Sequence, residues 1–201
     1  MKFDCTGVIL AGGKNNRFPG KKKTLRRVGD TIILETIYTV FSSLFKEVIL
    51  VVNDPKEFCG WDMTIVTDID PSQCALAGLH AGLFYASNPY AFVTACDTPF
   101  VKPEIIQYLI DQIEPGYDVI IPKTDDGLEP LSSVYSKACL PLIEENLFQK
   151  NFMIKKFFRK NKVKEVEPDQ LKMIDPQLRF AFNINTPKDL EMAKIISEKR
   201  G

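Results

Sequence analysis

One histidine, His80, stands in 201 residues, and the five cysteines, Cys5, Cys59, Cys74, Cys96 and Cys139, include no Cys-x-x-Cys pair. The first shortage argues against a histidine-based zinc site or a Ser-His-Asp triad. The second points to buried or idle thiols in a reducing compartment. No apolar run approaches the ~18 residues that span a bilayer; the longest, Cys74 to Ala86, is interrupted by His80. The opening Met-Lys-Phe-Asp-Cys lacks the long apolar stretch of a secretory signal. Nor is there an excess of charge: 26 basic side chains balance 26 acidic ones, which argues against a long polyanion as partner. No repeat, low-complexity tract or linker-like shift divides the chain. The expectation is a single domain, residues 1–201, in the cytoplasm, with neither nucleic acid nor membrane as partner.

What is present is an alternation of short apolar runs with helical patterns. Thr6–Leu10, Glu47–Val52, Met63–Val66, Ala91–Cys96 and Asp118–Ile121 read as buried strands. Ile32–Leu44, Leu76–Ala86 and Pro103–Ile113 read as helices between them. After Pro122 come a turn at Asp125-Asp126-Gly127, a strand at Ser132–Tyr135 and a helix over Lys137–Phe148. The extended stretches Val163–Val166 and Ala181–Asn185 follow. Thr186-Pro187-Lys188-Asp189 opens the last helix, with threonine as N-cap, proline at N1 and a carboxylate at N3. Strand–helix alternation with strands apolar throughout predicts an α/β fold: a three-layer α/β/α sandwich with a mostly parallel, Rossmann-like sheet. In such sheets ligands bind beyond the carboxyl ends of the strands.

The first strand runs into Leu10-Ala11-Gly12-Gly13, and the segment from Lys14 to Arg27 holds seven cations and no acid. Adjacent glycines let the backbone approach a ligand closely, and amides plus cations describe a polyphosphate cradle. It is not a P-loop, because six residues separate Gly13 from Gly20 where a P-loop has four between its glycines, and Lys22 follows Gly20-Lys21. It is not a dinucleotide fingerprint either, because Lys14 stands two residues after Gly12.

With Arg17, Gly20, Lys23 and Leu25 added, this loop resembles the signature of the nucleotidyltransferase family that includes the molybdenum cofactor guanylyltransferases. The resemblance continues through Val51-Val52-Asn53, Asp68 and Leu76-Ala77-Gly78-Leu79. It extends to Cys96-Asp97-Thr98-Pro99-Phe100, Glu129-Pro130-Leu131 and Asn183-Ile184-Asn185-Thr186-Pro187. It implies a nucleotide-diphospho-sugar transferase-like fold and transfer of GMP from GTP to molybdenum-molybdopterin, with Mg2+ as cofactor. It further implies transient contact with proteins that make or accept the molybdenum cofactor. By the same resemblance Leu10, Ala11, Gly12, Gly13, Lys23, Asn53, Asp68, Gly78 and Asp97 bind nucleotide, and Asp97 holds the metal. Lys23, Asp97 and Arg17 are the catalytic groups, and Asn183 and Asn185 receive the pterin.

The residues themselves leave some of these roles open. Asp70 competes with Asp68 as the carboxylate for a guanine edge, and both also suit a solvated loop. Asn53 is a base contact or a turn former before Pro55. Asn183 and Asn185, two apart, share a side if extended, and they compete with a capping role before Thr186. Glycine at 12 is expected to leave room for a purine, where the related cytidylyltransferases have alanine. His80 is expected to be structural. The chain departs from the family pattern at Pro19, where glycine is usual, and at Cys74-Ala75, where Gly-Pro is usual. A second acid-free window, Lys150 to Lys164, holds seven more cations; it is expected to be an amphipathic helix with a basic face, with capture of the anionic acceptor as the sharper reading.

Overall fold

The structure, a computed structural model, describes residues 3–12, 27–58, 60–154, 158 and 162–198. The elements follow the expected alternation: β1 (Thr6–Leu10), a small hairpin of β2 (Arg27–Val28) and β3 (Thr31–Ile32), α1 (Ile33–Leu44), β4 (Val48–Val52), β5 (Thr64–Thr67), α2 (Ala75–Tyr85), β6 (Tyr90–Ala95) and α3 (Pro103–Ile110). Then come β7 (Val119–Thr124), β8 (Gly127–Leu128), β9 (Ser132–Ser136), α4 (Leu140–Phe148), β10 (Val163–Val166), α5 (Pro168–Lys172) and α6 (Pro187–Glu198).

The main sheet has the order β10-β7-β9-β6-β1-β4-β5, with β8 paired to β7. Strand β1 is parallel to β4 on one side and to β6 on the other, β4 is parallel to β5, and β10 is parallel to β7. Strand β9 runs antiparallel to both β6 and β7. The chain leaves β1 toward β4 and β5, then returns through α2 to place β6 on the other flank of β1. That reversal is the switch point at which α/β sheets open a crevice.

Alternation along the strands divides the core into two layers. Ile9, Leu50, Val52, Phe92, Ile120 and Val134 face α1, α3, α5 and α6. Val8, Ile49, Val51, Val93, Val119, Ile121 and Tyr135 face α2 and α4. Two glycines allow the close approach. A Cβ at Gly7 would lie 2.5 Å from the Phe45 ring and 2.7 Å from the Phe41 ring, and one at Gly82 of α2 would lie 2.5 Å from Val8 Cγ1. His80 is buried on α2 and its Nε2 meets Glu144 of α4 at 3.0 Å. It therefore joins two helices, as expected of a structural histidine.

Two local readings change. Helix α3 ends at Ile110, where the Asp111 N–H closes on the Gln107 carbonyl at 2.9 Å, short of the expected Ile113. Residues 182–185 carry no strand ladder; a 3-10 turn, Arg179–Ala181, precedes them. The expected helix over the basic window falls largely on residues 155–157 and 159–161, outside the described residues. No described helix is long and apolar enough to cross a membrane.

Because Val8 and Gly82 are in contact with no room for a methyl group, Gly82→Ala should lower unfolding stability by ~1–3 kcal/mol, as overpacking does. The addition of Val8→Ala should recover part of that loss, which urea unfolding of the two variants measures.

Candidate functional site

The carboxyl ends of β1, β4, β5 and β6 form one rim. Ala11 donates its N–H to the Val51 carbonyl at 2.8 Å and Cys96 donates to the Leu10 carbonyl at 3.0 Å. The exit of β1 is thus tied to both neighbouring strands. Leu10, Ala11, Gly12, Asn53, Asp68 and Asp97 all lie on this rim because each ends one of those four strands or follows it within two residues. Gly13, Arg17 and Lys23 lie outside the described residues.

At Gly12 the geometry gives a different reason for glycine from the expected room for a purine. A Cβ there would stand 2.7 Å from Asn53 Oδ1, so the missing methyl seats the Asn53 amide. The turn-forming task beside it falls to Asp54, whose Oδ1 accepts the Lys56 N–H at 3.1 Å. Asn53 itself is exposed at the end of β4.

The two aspartates after β5 separate in the same way. Asp70 accepts the Ser72 N–H at 2.9 Å and also the Ser72 hydroxyl, closing an Asx turn. Asp68 has a buried Oδ1 with no hydrogen-bond partner. It lies 3.7 Å from where a Cβ on Gly78 would be. Burial first, and the Asp70 charge second, push its carboxyl up from 3.8 to about 6. An unpartnered, desolvated acceptor of this kind is matched by a ligand N–H pair.

Helix α2 begins beside it. Its N-cap is Cys74, whose Sγ accepts the Ala77 N–H at 3.4 Å. The departure from Gly-Pro thus keeps the helix capped and leaves Gly78 facing Leu10 and Asp68.

On the other side of Asp97 lies a cleft of about 350 Å3 lined by Asp97, Asp126, Leu128, Glu129, Pro130, Leu131, Asn183 and Asn185. The Ile184 N–H donates to the Asp97 carbonyl at 2.9 Å, and the Ile184 side chain is buried in the core. Asn183 and Asn185, on either side of it, both line this cleft. Asn183 accepts the Thr98 hydroxyl at 3.3 Å and donates to the Ala181 carbonyl at 3.0 Å, which leaves one amide N–H and one lone pair for a ligand. The competing capping role belongs to Thr186 and Asp189. Asp189 accepts the Thr186 N–H at 2.7 Å and donates its own N–H to the Thr186 hydroxyl at 3.2 Å. Asp126 and Glu129 were not singled out as ligand-facing by sequence. Asp126 looked like a turn residue, and only the tertiary turn back to β9 brings both toward Asp97.

Among the described residues no three His, Cys, Asp or Glu side chains form a metal cage. A single half-buried carboxylate at a cleft mouth fits a hydrated divalent cation that arrives on phosphates, because Mg2+ keeps several waters and takes one or two protein carboxylates. Asp97 is the residue that could supply that carboxylate.

A model of the MobA-like NTP transferase domain matches residues 7–166. The chain is 38% identical to the molybdenum cofactor guanylyltransferase of Desulfosudis oleivorans over 94% of each chain. It is 36% identical to the probable molybdenum cofactor guanylyltransferase of Pelotomaculum thermopropionicum, over 98% of this chain and 95% of that one. Among solved structures it is similar to molybdopterin-guanine dinucleotide biosynthesis protein A from Archaeoglobus fulgidus, with a TM-score of 0.86 and 28% identity over 96% of this chain and 99% of that one. The fold is that of the nucleotide-diphospho-sugar transferases.

Two outcomes follow from this rim. Gly12→Ala should weaken nucleotide binding about tenfold by displacing Asn53, and the penalty should vanish in an Asn53→Ala background; titration calorimetry on the four combinations measures this coupling. Asp68 favours the folded chain only while protonated, since its pKa of about 6 lies above the ordinary 3.8. That advantage is complete below about pH 4 and lost as pH rises through about 6. Asp68→Asn should therefore raise the ligand-free Tm at pH 8 and leave it nearly unchanged at the lowest pH at which the chain stays folded.

Proposed function

Since the chain belongs to the family of MobA-like NTP transferase domains, we propose that it transfers GMP from GTP to molybdenum-molybdopterin, forming molybdopterin guanine dinucleotide and releasing pyrophosphate. The observation that carries this reading is the convergence of Asp97, Asn183 and Asn185 on one cleft beside a strand rim that holds Gly12, Asn53 and Asp68. One side of Asp97 suits a purine nucleotide and the other a polar heterocycle.

In this reading the guanine N1–H and N2–H2 donate to the Asp68 carboxylate, relieving its unpartnered Oδ1. Asn53, seated over Gly12, contacts the base or its sugar. The amides of residues 12 and 13, with Lys23 and Arg17, receive the triphosphate. Asn183 and Asn185 orient the pterin so that the acceptor's phosphate oxygen faces the α-phosphorus. A new P–O bond forms there, the bond from the α-phosphorus to the bridging oxygen breaks, and pyrophosphate leaves with that electron pair. The attacking phosphate is already ionised, so no side chain needs to remove a proton. A divalent cation, Mg2+, when bound at Asp97 neutralises charge on the phosphates. The remaining barrier is lowered by positioning and by the fixed charges around the site.

The function is tested with purified protein, Mg2+, molybdopterin and each labelled nucleoside triphosphate, with pyrophosphate as the readout. Release is expected with GTP and only when molybdopterin is present. Release with CTP alone would overturn the guanylyl assignment. Asp97→Ala should abolish turnover and the Mg2+ dependence of GTP binding. Because the Asp68 carboxyl must be ionised to accept from guanine, GTP affinity should fall as pH drops below about 6. Asp68→Asn should bind GTP weakly and independently of pH over the same range.

A further inference from the structure

The cleft at Asp97 has a neighbour. A second cleft of about 410 Å3 shares the Asp126 and Glu129 walls with it and continues along residues 176–182. Its charged groups are unevenly satisfied. Lys172 is paired with Asp125 at 2.9 Å, and Glu129 accepts the Thr124 hydroxyl at 3.1 Å. Arg179 lines the same cleft and is half-buried; its carbonyl accepts the Phe182 N–H at 3.0 Å, but its guanidinium has no hydrogen-bond or ion-pair partner among the described residues. Half-buried arginines are ordinarily paired, because a guanidinium taken partly out of water loses hydration that only an anion or a set of acceptors restores.

The turn that carries Arg179 is built to hold it there. Asp175 is buried; its Oδ2 accepts the Phe180 N–H at 2.9 Å, and its carbonyl accepts the Leu178 N–H at 2.8 Å. Phe180 and Ile184 anchor the two ends of the segment in the core. Leu178, directly before Arg179, has φ +48°, a left-handed conformation that costs a non-glycine residue about 1 kcal/mol. Strain of this kind persists where surrounding structure enforces it, and it gathers at ligand sites.

The geometry points to Arg179 as the receptor for a second anionic group of the acceptor, remote from its reacting phosphate: the metal-bound dithiolene end of molybdopterin. This rests on the guanylyltransferase reading above. An acceptor with its phosphate beside Asp97 and its pterin on Asn183 and Asn185 runs on into the second cleft. The planar fork of Arg179 then offers several N–H donors to oxo and thiolate acceptors, as a lysine's point charge does not. The anion would neutralise the guanidinium of that cleft that has no partner among the described residues.

The test compares two acceptor probes on the intact protein, using wild type, Arg179→Ala and Arg179→Lys. One probe is complete molybdopterin; the other is 6-hydroxymethylpterin phosphate, which keeps the heterocycle and phosphate but lacks the dithiolene. Binding is followed by pterin fluorescence without turnover, and GTP binding is measured in parallel. Arg179→Ala should weaken molybdopterin about tenfold or more, the usual loss of a charge-assisted contact, and Arg179→Lys should restore part of it. The affinities for the truncated pterin and for GTP should not change. Equal loss for both pterins, or no loss for molybdopterin, overturns the proposal. If wild type binds both pterins but releases no pyrophosphate from GTP, the guanylyltransferase reading fails and the assignment of Arg179 stands or falls on the binding data alone.

Discussion

Strand β1 is paired in parallel with β4 and with β6, so three carboxyl ends finish together, and both core layers close directly on its two faces. This contact leaves no slack. Gly7 admits the Phe41 and Phe45 rings on one face, and Gly82 lets α2 rest on Val8 on the other. The glycine-rich exit of β1, the capped start of α2 and the Asp97 turn after β6 are therefore held relative to one another by packing in which a single methyl group has no space. A transfer reaction that relies on alignment rather than on a general base needs a rim of this rigidity.

The electrostatics of the site have two halves. The described wall is acidic: Asp68, Asp97, Asp126 and Glu129 lie on or near the rim. Such a wall repels polyphosphates unless cations stand opposite, and the sequence supplies seven between Lys14 and Arg27 directly after β1. Zero net charge thus conceals an acidic rim and a basic window in the sequence. The two carboxylates central to the function reading have opposite designs. Asp97 sits at a cleft mouth where a hydrated cation can reach it. Asp68 is desolvated, and its unsatisfied oxygen destabilises the ligand-free chain at neutral pH while marking the place where a base can donate.

Much of this was legible in the amino-acid order. Strands buried on both sides appear as unbroken β-branched runs, so β1, β4 and β6 could be placed within a residue, while β7 runs three residues beyond its expected end at Ile121. Asp97 could be singled out because it follows a buried strand, where a carboxylate has no packing task. Other features were ambiguous for physical reasons. Asp68 and Asp70 have the same chemistry and lie two residues apart; only the hydrogen bonds from Ser72 show that Asp70 is spent on a turn. Residues 181–185 have strand-like composition, yet the segment crosses the ends of the strands instead of joining the ladder, which is what brings both asparagines to Asp97. Arg179 carried no sequence signal, since what marks it is a half-buried guanidinium with no partner among the described residues.

The sequence by itself determined the α/β class, the strand–helix order, the family and the positions at strand exits where chemistry belongs. These follow from local periodicity and from residue types at fixed spacing. Tertiary structure alone decided that β9 enters the sheet antiparallel, that Gly12 is a seat for Asn53, that Asp68 rather than Asp70 is left open, and that two clefts share the Asp126 and Glu129 walls. Each of these depends on which groups far apart in the chain meet or fail to meet, and periodicity carries no record of such distances.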